Sequence, residues 1–237
     1  MLGGGKRLRP AFAYWGFRGA GGLDGDQVLT ALASLEFVQA SALIHDDLMD
    51  RSDTRRGEPA VHRRFATRHR EAGWGGDPDG FGDAAAILLG DLCLVWSDEL
   101  LHSAGLDLWS LARARPVFDE MRTEVTVGQY LDVLTQVTGD TSVERASKVA
   151  RYKSAKYTVE RPMLLGAALA DAPEDVRTAY SAYGLPLGEA FQLRDDVLGV
   201  FGDPALTGKP AGDDLREGKR TYLVAAAVAA TSRRSQP

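Results

Sequence analysis

The chain has 237 residues, 44% of them apolar and 26% charged, enough for one large globular domain or two small ones. This excludes a disordered tail, a collagen and a disulfide mini-protein. Its 33 acids against 28 bases give a net charge of −5, which argues against non-specific nucleic-acid binding. The one cysteine, Cys93, cannot form an intrachain disulfide and fits a reducing, cytoplasmic setting. No run of 18 uninterrupted apolar residues is present, so no membrane span is expected.

Read in chain order, the first residues, Met1-Leu-Gly-Gly-Gly-Lys6, lack the apolar core of a signal peptide. Over 27–49, apolar residues recur at Leu32, Leu35, Val38, Ala42 and Met49, mostly three or four apart, which predicts a helix capped by Asp24 or Asp26. The stretch 71–83 (EAGWGGDPDGFGD) reads as a glycine-rich mobile loop. A helix apolar on several faces is expected over 84–101. One or two more follow over 106–138 with a break near Pro116, and another over 143–170 interrupted at Pro162. Pro173-Glu-Asp175 suits a first helical turn of a helix running, with a break near Pro186, towards Val200. A further helix begins at Tyr222. No alternating strand and no internal repeat stands out. The reading is all-α, residues 1–237 forming one helical domain. Glycine is high, 26 of 237 residues against roughly 7% on average, and clusters at the start, at 73–82 and after Gly199.

Two segments combine acids with nearby bases. In Leu43-Ile-His-Asp-Asp-Leu-Met-Asp-Arg51, Asp46 and Asp50 are four apart and share one helix face. Like charges there repel. Either they are a solvated helix end partnered by Arg51, Arg55 and Arg56, or they hold a hard cation such as Mg²⁺ that in turn holds phosphate. Asp195-Asp196 ends a second apolar run and is followed by Lys209, Lys219 and Arg220. Two helices each ending in an aspartate pair can face one another across a bundle and bind metal between them. Carboxylates, Mg²⁺ and Lys/Arg together suit a diphosphate. Gly4-Gly-Lys-Arg-Leu-Arg-Pro10 packs three bases into four residues and suggests a second anionic substrate. Blander readings go to His45 (a hydrogen-bonded structural histidine), His69 and His102 (surface), Cys93 (inert core), and Trp15, Trp96 and Trp109 (packing).

On these motifs the chain resembles the trans-isoprenyl diphosphate synthases, the polyprenyl synthetase family, over nearly its whole length. Gly4-Gly-Lys-Arg-Leu-Arg-Pro10 is similar to the family's isopentenyl diphosphate motif. Asp46-Asp-Leu-Met-Asp50 with Arg55-Arg-Gly57 is similar to its first aspartate-rich motif. Phe191-Gln-Leu-Arg-Asp-Asp196, with Gly208-Lys-Pro210 and Glu217-Gly-Lys-Arg-Thr221, is similar to the second. Gly128-Gln129 and Lys153-Ser154 match two lesser motifs.

The resemblance implies an isoprenoid-synthase helix bundle around a catalytic cavity and a homodimer. It implies a Mg²⁺-dependent condensation of isopentenyl diphosphate with an allylic diphosphate (dimethylallyl, geranyl or farnesyl). In it, Asp46 and Asp50 would hold two Mg²⁺ ions and Asp195 a third, with Mn²⁺ as a substitute, and Asp47 would belong to the catalytic set. Arg55, Lys153, Ser154, Gln192, Lys209 and Lys219 would hold the allylic diphosphate, near Asp196. Lys6, Arg9, Arg56 and Gln39 would hold isopentenyl diphosphate. Gly199 replaces the usual third aspartate of the second motif.

In the family, aromatic residues four or five positions before the first aspartate stop growth at fifteen carbons. Those positions are Ala42 and Ser41 here, on the face that includes Val38, so the expected product is C20 geranylgeranyl diphosphate. A class I terpene cyclase needs no second diphosphate site, which Lys6-Arg7-Leu8-Arg9 argues against. A non-catalytic subunit of a heteromeric synthase could lose its aspartates, most of which are kept. Beside the family the chain reads as truncated at both ends.

Overall fold

The computed structural model describes residues 5–203, 212–216 and 218–234. Lys209, expected at the allylic diphosphate, lies outside them. The chain divides into two compact units: residues 5–7 with Asp26–Leu106, and Leu8–Gly25 with the residues from Asp107 onward.

The first unit is built on helices α2 (Asp26–Met49), α3 (Val61–Glu71) and α4 (Pro78–His102). Helix α2 packs along α4, and α3 packs on α4. Their apolar faces meet in a cluster of Ala40, Ile44, Val61, Ala86 and Cys93, flanked by Phe37, Leu48, Phe65 and Leu89. Helix α2 is long and apolar enough to cross a membrane by length and composition alone, but 44% of its most apolar window is buried in the protein. Between α2 and α3 runs a two-stranded antiparallel hairpin, β1 (Thr54–Arg55) with β2 (Glu58–Pro59), paired Thr54↔Pro59 and Arg55↔Glu58. No strand was expected, because two-residue strands are too short to show alternation.

The glycine-rich loop is shorter than the 71–83 read from composition. Asp77 caps α4 by accepting from the backbone N–H groups of Asp79 and Gly80, and Pro78 takes the first helical position. Residues 78–83 are therefore helical: the cap and the proline outweigh the low propensity of Gly80 and Gly82. His69, expected at the surface, is buried and its Nε2 lies 3.1 Å from the carbonyl of Gly75, which ties the loop down. Trp15 and Trp109, expected to pack, are largely exposed.

The second unit comprises α1 (Leu8–Gly19), α5 (Leu108–Thr138), α6 (Val143–Val149), a π-helical segment (Ala150–Glu160), α7 (Arg161–Leu169), α8 (Glu174–Phe201), α9 (Asp213–Arg216) and α10 (Tyr222–Arg234). Neither Pro116 in α5 nor Pro186 in α8 ends its helix. Each removes one N–H donor, but packing of an apolar face outweighs that loss, as with the fully buried Ala114, Phe118 and Met121 around Pro116. The interruption expected at Pro162 is a change from π to α hydrogen bonding without a break: Glu160 and Arg161 stay helical, and Pro162, which lacks an N–H, stands just after the last π-type bond, from Arg161 N–H to the Lys156 carbonyl.

Glycines let these helices approach closely. A Cβ at Gly16 would meet the backbone of Met163 at 2.4 Å, and one at Gly166 would lie 1.9 Å from the Ala13 carbonyl oxygen. So α1 and α7 touch backbone to backbone, and a share of the high glycine count is packing rather than loop. Gly166→Ala gains about 1 kcal/mol of helix propensity but forces apart two packed backbones, at a gross cost that exceeds it. The expected net loss is about 1–2 kcal/mol, read as a Tm lowered by roughly 2–8 °C. An unchanged or raised Tm would mean that α1 and α7 separate at no cost.

Candidate active site

In the first unit the acids stand at the C-terminal end of α2, where the unpaired carbonyls make the helix end negative. The end is sharply made. Ser52 N–H bonds to the Asp47 carbonyl at 2.9 Å and Arg51 N–H to that of Leu48 at 3.3 Å, with Arg51 left-handed at φ 53°. This is a Schellman closure with arginine where glycine is usual. A left-handed non-glycine residue costs on the order of 1–2 kcal/mol.

The hairpin then turns at Arg56 and Gly57, φ 55° and 78°. Two successive positive φ values define the type I′ turn whose twist suits a two-residue hairpin. The hairpin returns Arg55 to the acids. Its Nε donates to Asp47 Oδ1 at 2.6 Å, and its Nη2 bonds to Asp46 Oδ2 at 3.2 Å and to Asp47. Asp47 is 3% exposed. Burial pushes its carboxyl up, and the Arg55 guanidinium draws it part of the way back. Burial would lower Arg55, but its bonds to Asp47 and Asp46 outweigh that and hold the guanidinium above its ordinary value.

Asp46 and Asp50 are half-buried on the face beside this pair. On the same face, Gln39 keeps a buried Oε1 with no hydrogen-bond partner among the described residues. Gly5 lies against Arg56, whose guanidinium nitrogens would be 3.7 and 3.8 Å from a Cβ there. The unit thus brings the start of the Gly-Lys-Arg motif to the arginine turn. His45 Nε2 lies 3.2 Å from the Ile87 carbonyl, in keeping with a structural role.

In the second unit the π-helical segment carries Lys153 and Ser154. It is held close on two sides. A Cβ at Gly128 of α5 would be 2.4 Å from Lys153 N, and one at Gly188 of α8 would be 2.6 Å from the Ala155 carbonyl oxygen. One turn on from Gly128, Asp132 accepts from Lys153 Nζ at 2.6 Å. Asp132 escaped the sequence reading; its spacing four beyond Gly128, on one face of α5, is the signal that could have found it.

Arg9 enters the same layer. Its guanidinium lies 4.1 Å from the centre of the Tyr157 ring, and its Nη2 donates to Thr158 Oγ1 at 2.9 Å. Burial lowers Arg9 and raises the Tyr157 phenol. Arg9 Nε and the Tyr157 hydroxyl are buried without hydrogen-bond partners among the described residues. Near the end of α8, Asp196 is buried and accepts from Gln192 Nε2 at 2.8 Å, while Asp195 is exposed. At the third acid position of this motif, the Gly199 carbonyl accepts from Gly212 N–H at 3.0 Å. Lys219 is half-buried and Lys6 exposed.

Among the described residues no three His, Cys, Asp or Glu side chains converge as a metal cage. Mg²⁺ keeps waters and binds through one or two carboxylates plus substrate phosphate. Hard oxygen donors on one face at Asp46 and Asp50 fit that chemistry.

The Polyprenyl synthetase family model matches residues 1–236. A geranylfarnesyl diphosphate synthase of Aeropyrum pernix is 35% identical over 98% of this chain and 69% of its own length. A (2E,6E)-farnesyl diphosphate synthase of Mycobacterium tuberculosis is 36% identical over 95% of this chain and 57% of its own. The crystal structure of a Corynebacterium glutamicum geranylgeranyl pyrophosphate synthase, complexed with isoprenyl diphosphate and magnesium, superposes with a TM-score of 0.94 at 50% identity, covering 98% of this chain and 67% of that one. The chain thus spans about three fifths to two thirds of the length of these relatives.

The Asp47–Arg55 pair is partly buried, so Asp47→Asn should cost about 1–3 kcal/mol in denaturant unfolding by leaving the guanidinium without its anion. Asp53→Asn breaks an exposed pair with Arg63, in which the acid side chain is 72% exposed, and should cost under about 1 kcal/mol. Equal losses for the two would refute the special status of the Asp47 pair.

Proposed function

The chain belongs to the polyprenyl synthetase family, and we propose that it is a prenyltransferase joining isopentenyl diphosphate to an allylic diphosphate head to tail. The observation that supports this best is the acid end of α2. Asp46 and Asp50 share one face there, with Arg55 bonded to Asp46 and Asp47 and Arg56 set in a strained turn beside Gly5. Strain of this kind persists where surrounding structure over-determines it, which is common where ligands are clamped.

In this reading Asp46, Asp50 and Asp195 hold Mg²⁺, which when bound supplies Lewis-acid stabilisation of the departing diphosphate. Arg55, Lys153, Ser154, Gln192 and Lys219 orient the allylic diphosphate, with Lys209 added from outside the described residues. Asp132 and Gly128 set the position of Lys153, the first by its ion pair and the second by close backbone contact. Asp47 acts by aiming Arg55, and Asp196 by fixing Gln192.

Lys6, Arg9, Gln39 and Arg56 take isopentenyl diphosphate. The unpartnered Arg9 Nε is a donor that an anion would satisfy. The Gln39 amide, turned over, would offer its NH₂ in place of the unpaired oxygen. In this reading the released diphosphate accepts the final proton. Apolar residues along α2 keep water from the reacting carbons.

We propose C20 geranylgeranyl diphosphate as the product and a homodimer as the working state. Support for the product is the small pair Ser41 and Ala42 before Asp46, where a tail would run along α2 towards Val38 and Leu35.

The test is incubation with Mg²⁺, isopentenyl diphosphate and each of the three short allylic primers, followed by product chromatography. Asp46→Ala should keep the fold and lower condensation by at least about 100-fold, the scale for losing one group that stabilises transition-state charge. Full turnover in that variant would sink the assignment, and product formed without isopentenyl diphosphate would indicate a cyclase. Ala42→Phe, at a half-buried position, should shorten the product. Ser41 is 2% exposed, so Ser41→Phe is expected to disturb the core as well. An unchanged product from Ala42→Phe would place the limit on chain growth elsewhere.

A further inference from the structure

Helix α5 turns one stripe of residues towards the π-helical segment. Glu120, Glu124, Gly128 and Asp132 follow one another at steps of four and so share a face. Each meets the segment or its end. Glu120 accepts from Arg161 Nη2 at 2.6 Å, Glu124 from Lys156 and Arg161, and Asp132 from Lys153, while Gly128 lies against the Lys153 backbone.

Glu124 holds two cations at once. Its Oε2 accepts from Arg161 Nε at 2.6 Å and its Oε1 from Arg161 Nη2 at 3.0 Å, a forked pair, and Oε1 also accepts from Lys156 Nζ. Burial would raise the Glu124 carboxyl, but its bonds to Arg161 and Lys156 outweigh that and hold it below its ordinary value. The Lys156, Glu124 and Arg161 side chains are only 15%, 14% and 13% exposed, so salt screens them little.

Lys156 and Arg161 are five residues apart. In an α-helix such residues stand about 140° apart round the axis and point to different sides. In a π-helix, where hydrogen bonds join residues five apart, they lie nearly one above the other. The Arg161 N–H bonds to the Lys156 carbonyl, so the two residues joined by the last π-type bond are the two whose side chains Glu124 holds. The twist there bears on Lys153. A π turn takes up about one residue more than an α turn, so each residue rotates roughly 20° less about the axis. Over the three residues from Lys156 back to Lys153 the difference is roughly 60°, enough to swing the Lys153 side chain off Asp132.

We propose that Glu124 is a positioning residue: by clamping Lys156 and Arg161 across the last π bond, it holds the twist that keeps Lys153 on Asp132. Its contribution to turnover rests on the diphosphate role proposed for Lys153. The clamp itself does not.

The experiment is labelling of lysine amines in the intact chain with acetic anhydride, read residue by residue by mass spectrometry, with kinetics alongside. In E124Q, Lys153 should acylate about tenfold faster than in the wild type, the scale for losing one charge-assisted hydrogen bond. Lys148, an exposed lysine paired with Glu144, should not change. E120Q, at a 54% exposed acid bonded to Arg161, should leave Lys153 as it is. E124D, which keeps the charge on a shorter arm, should fall between. Equal labelling of Lys153 in E124Q and the wild type would overturn the clamp, and so would an equal rise in E120Q. Should E124Q melt below the assay temperature, E124D against E120Q carries the same comparison. With Mg²⁺ and both substrates, E124Q should raise KM for the allylic diphosphate about tenfold and leave that for isopentenyl diphosphate within about twofold, a split that lost stability alone would not produce. Equal changes in the two KM values, or none, would remove Glu124 from substrate positioning. Faster Lys153 labelling in E124Q of a chain that forms no product would keep the clamp and reject the proposed reaction.

Discussion

Carboxylates gathered at the C-terminal end of an apolar helix are held against two forces. They repel one another, and they stand where the helix already presents unpaired carbonyls. Such a cluster persists only if cations are brought to it. The chain does this within ten residues. The Schellman closure at Arg51 stops α2 just past Asp50, and the type I′ turn at Arg56-Gly57 sends the chain back with Arg55 aimed at Asp47 and Asp46. Two arginines in left-handed backbone are part of that arrangement. The strain is local and the compensation is electrostatic, so one adjacent acid, Asp47, is spent on structure while Asp46 and Asp50 stay half-buried on the neighbouring face, the one proposed to hold metal.

The second unit solves a different problem, the close placement of a basic residue within a helical layer. Here the device is steric. Gly128 and Gly188 let α5 and α8 press on the π-helical segment, and the wider π turn carries Lys153 to Asp132. π-helical turns occur often at functional sites, and the orphaned polar atoms of Arg9 and Tyr157 in the same layer fit that pattern. The same economy of small residues explains part of the glycine excess, which composition alone assigned to loops and motifs.

Much of the fold was legible because amphipathic periodicity survives in a single sequence. The helices expected over 27–49 and 174–200 lie within one residue of the observed bounds for that reason, and the one expected over 84–101 matches at its C-terminal end. The misreadings share one cause. Pro116, Pro186 and Gly80–Gly82 are judged by local propensity, yet their fates depend on buried faces and on a cap supplied by Asp77. His69 looks polar in sequence and is buried because Gly75 and the rings of Trp74 and Phe81 come to it. The hairpin escaped notice because its strands are two residues long, although its turn pair, Arg-Gly, carries the glycine such turns favour.

Residue order alone determined the all-α character, the family and the positions of the acid and base motifs, because periodicity and short motifs are local properties written along the chain. It could not separate the roles of Asp46 and Asp47, which are adjacent and chemically identical. Only the tertiary structure decided that Asp47 turns inward to hold Arg55 and that Asp132 restrains Lys153. Those assignments depend on which face of a helix is covered and which distant segment covers it, and that is set by packing between parts of the chain far apart in sequence.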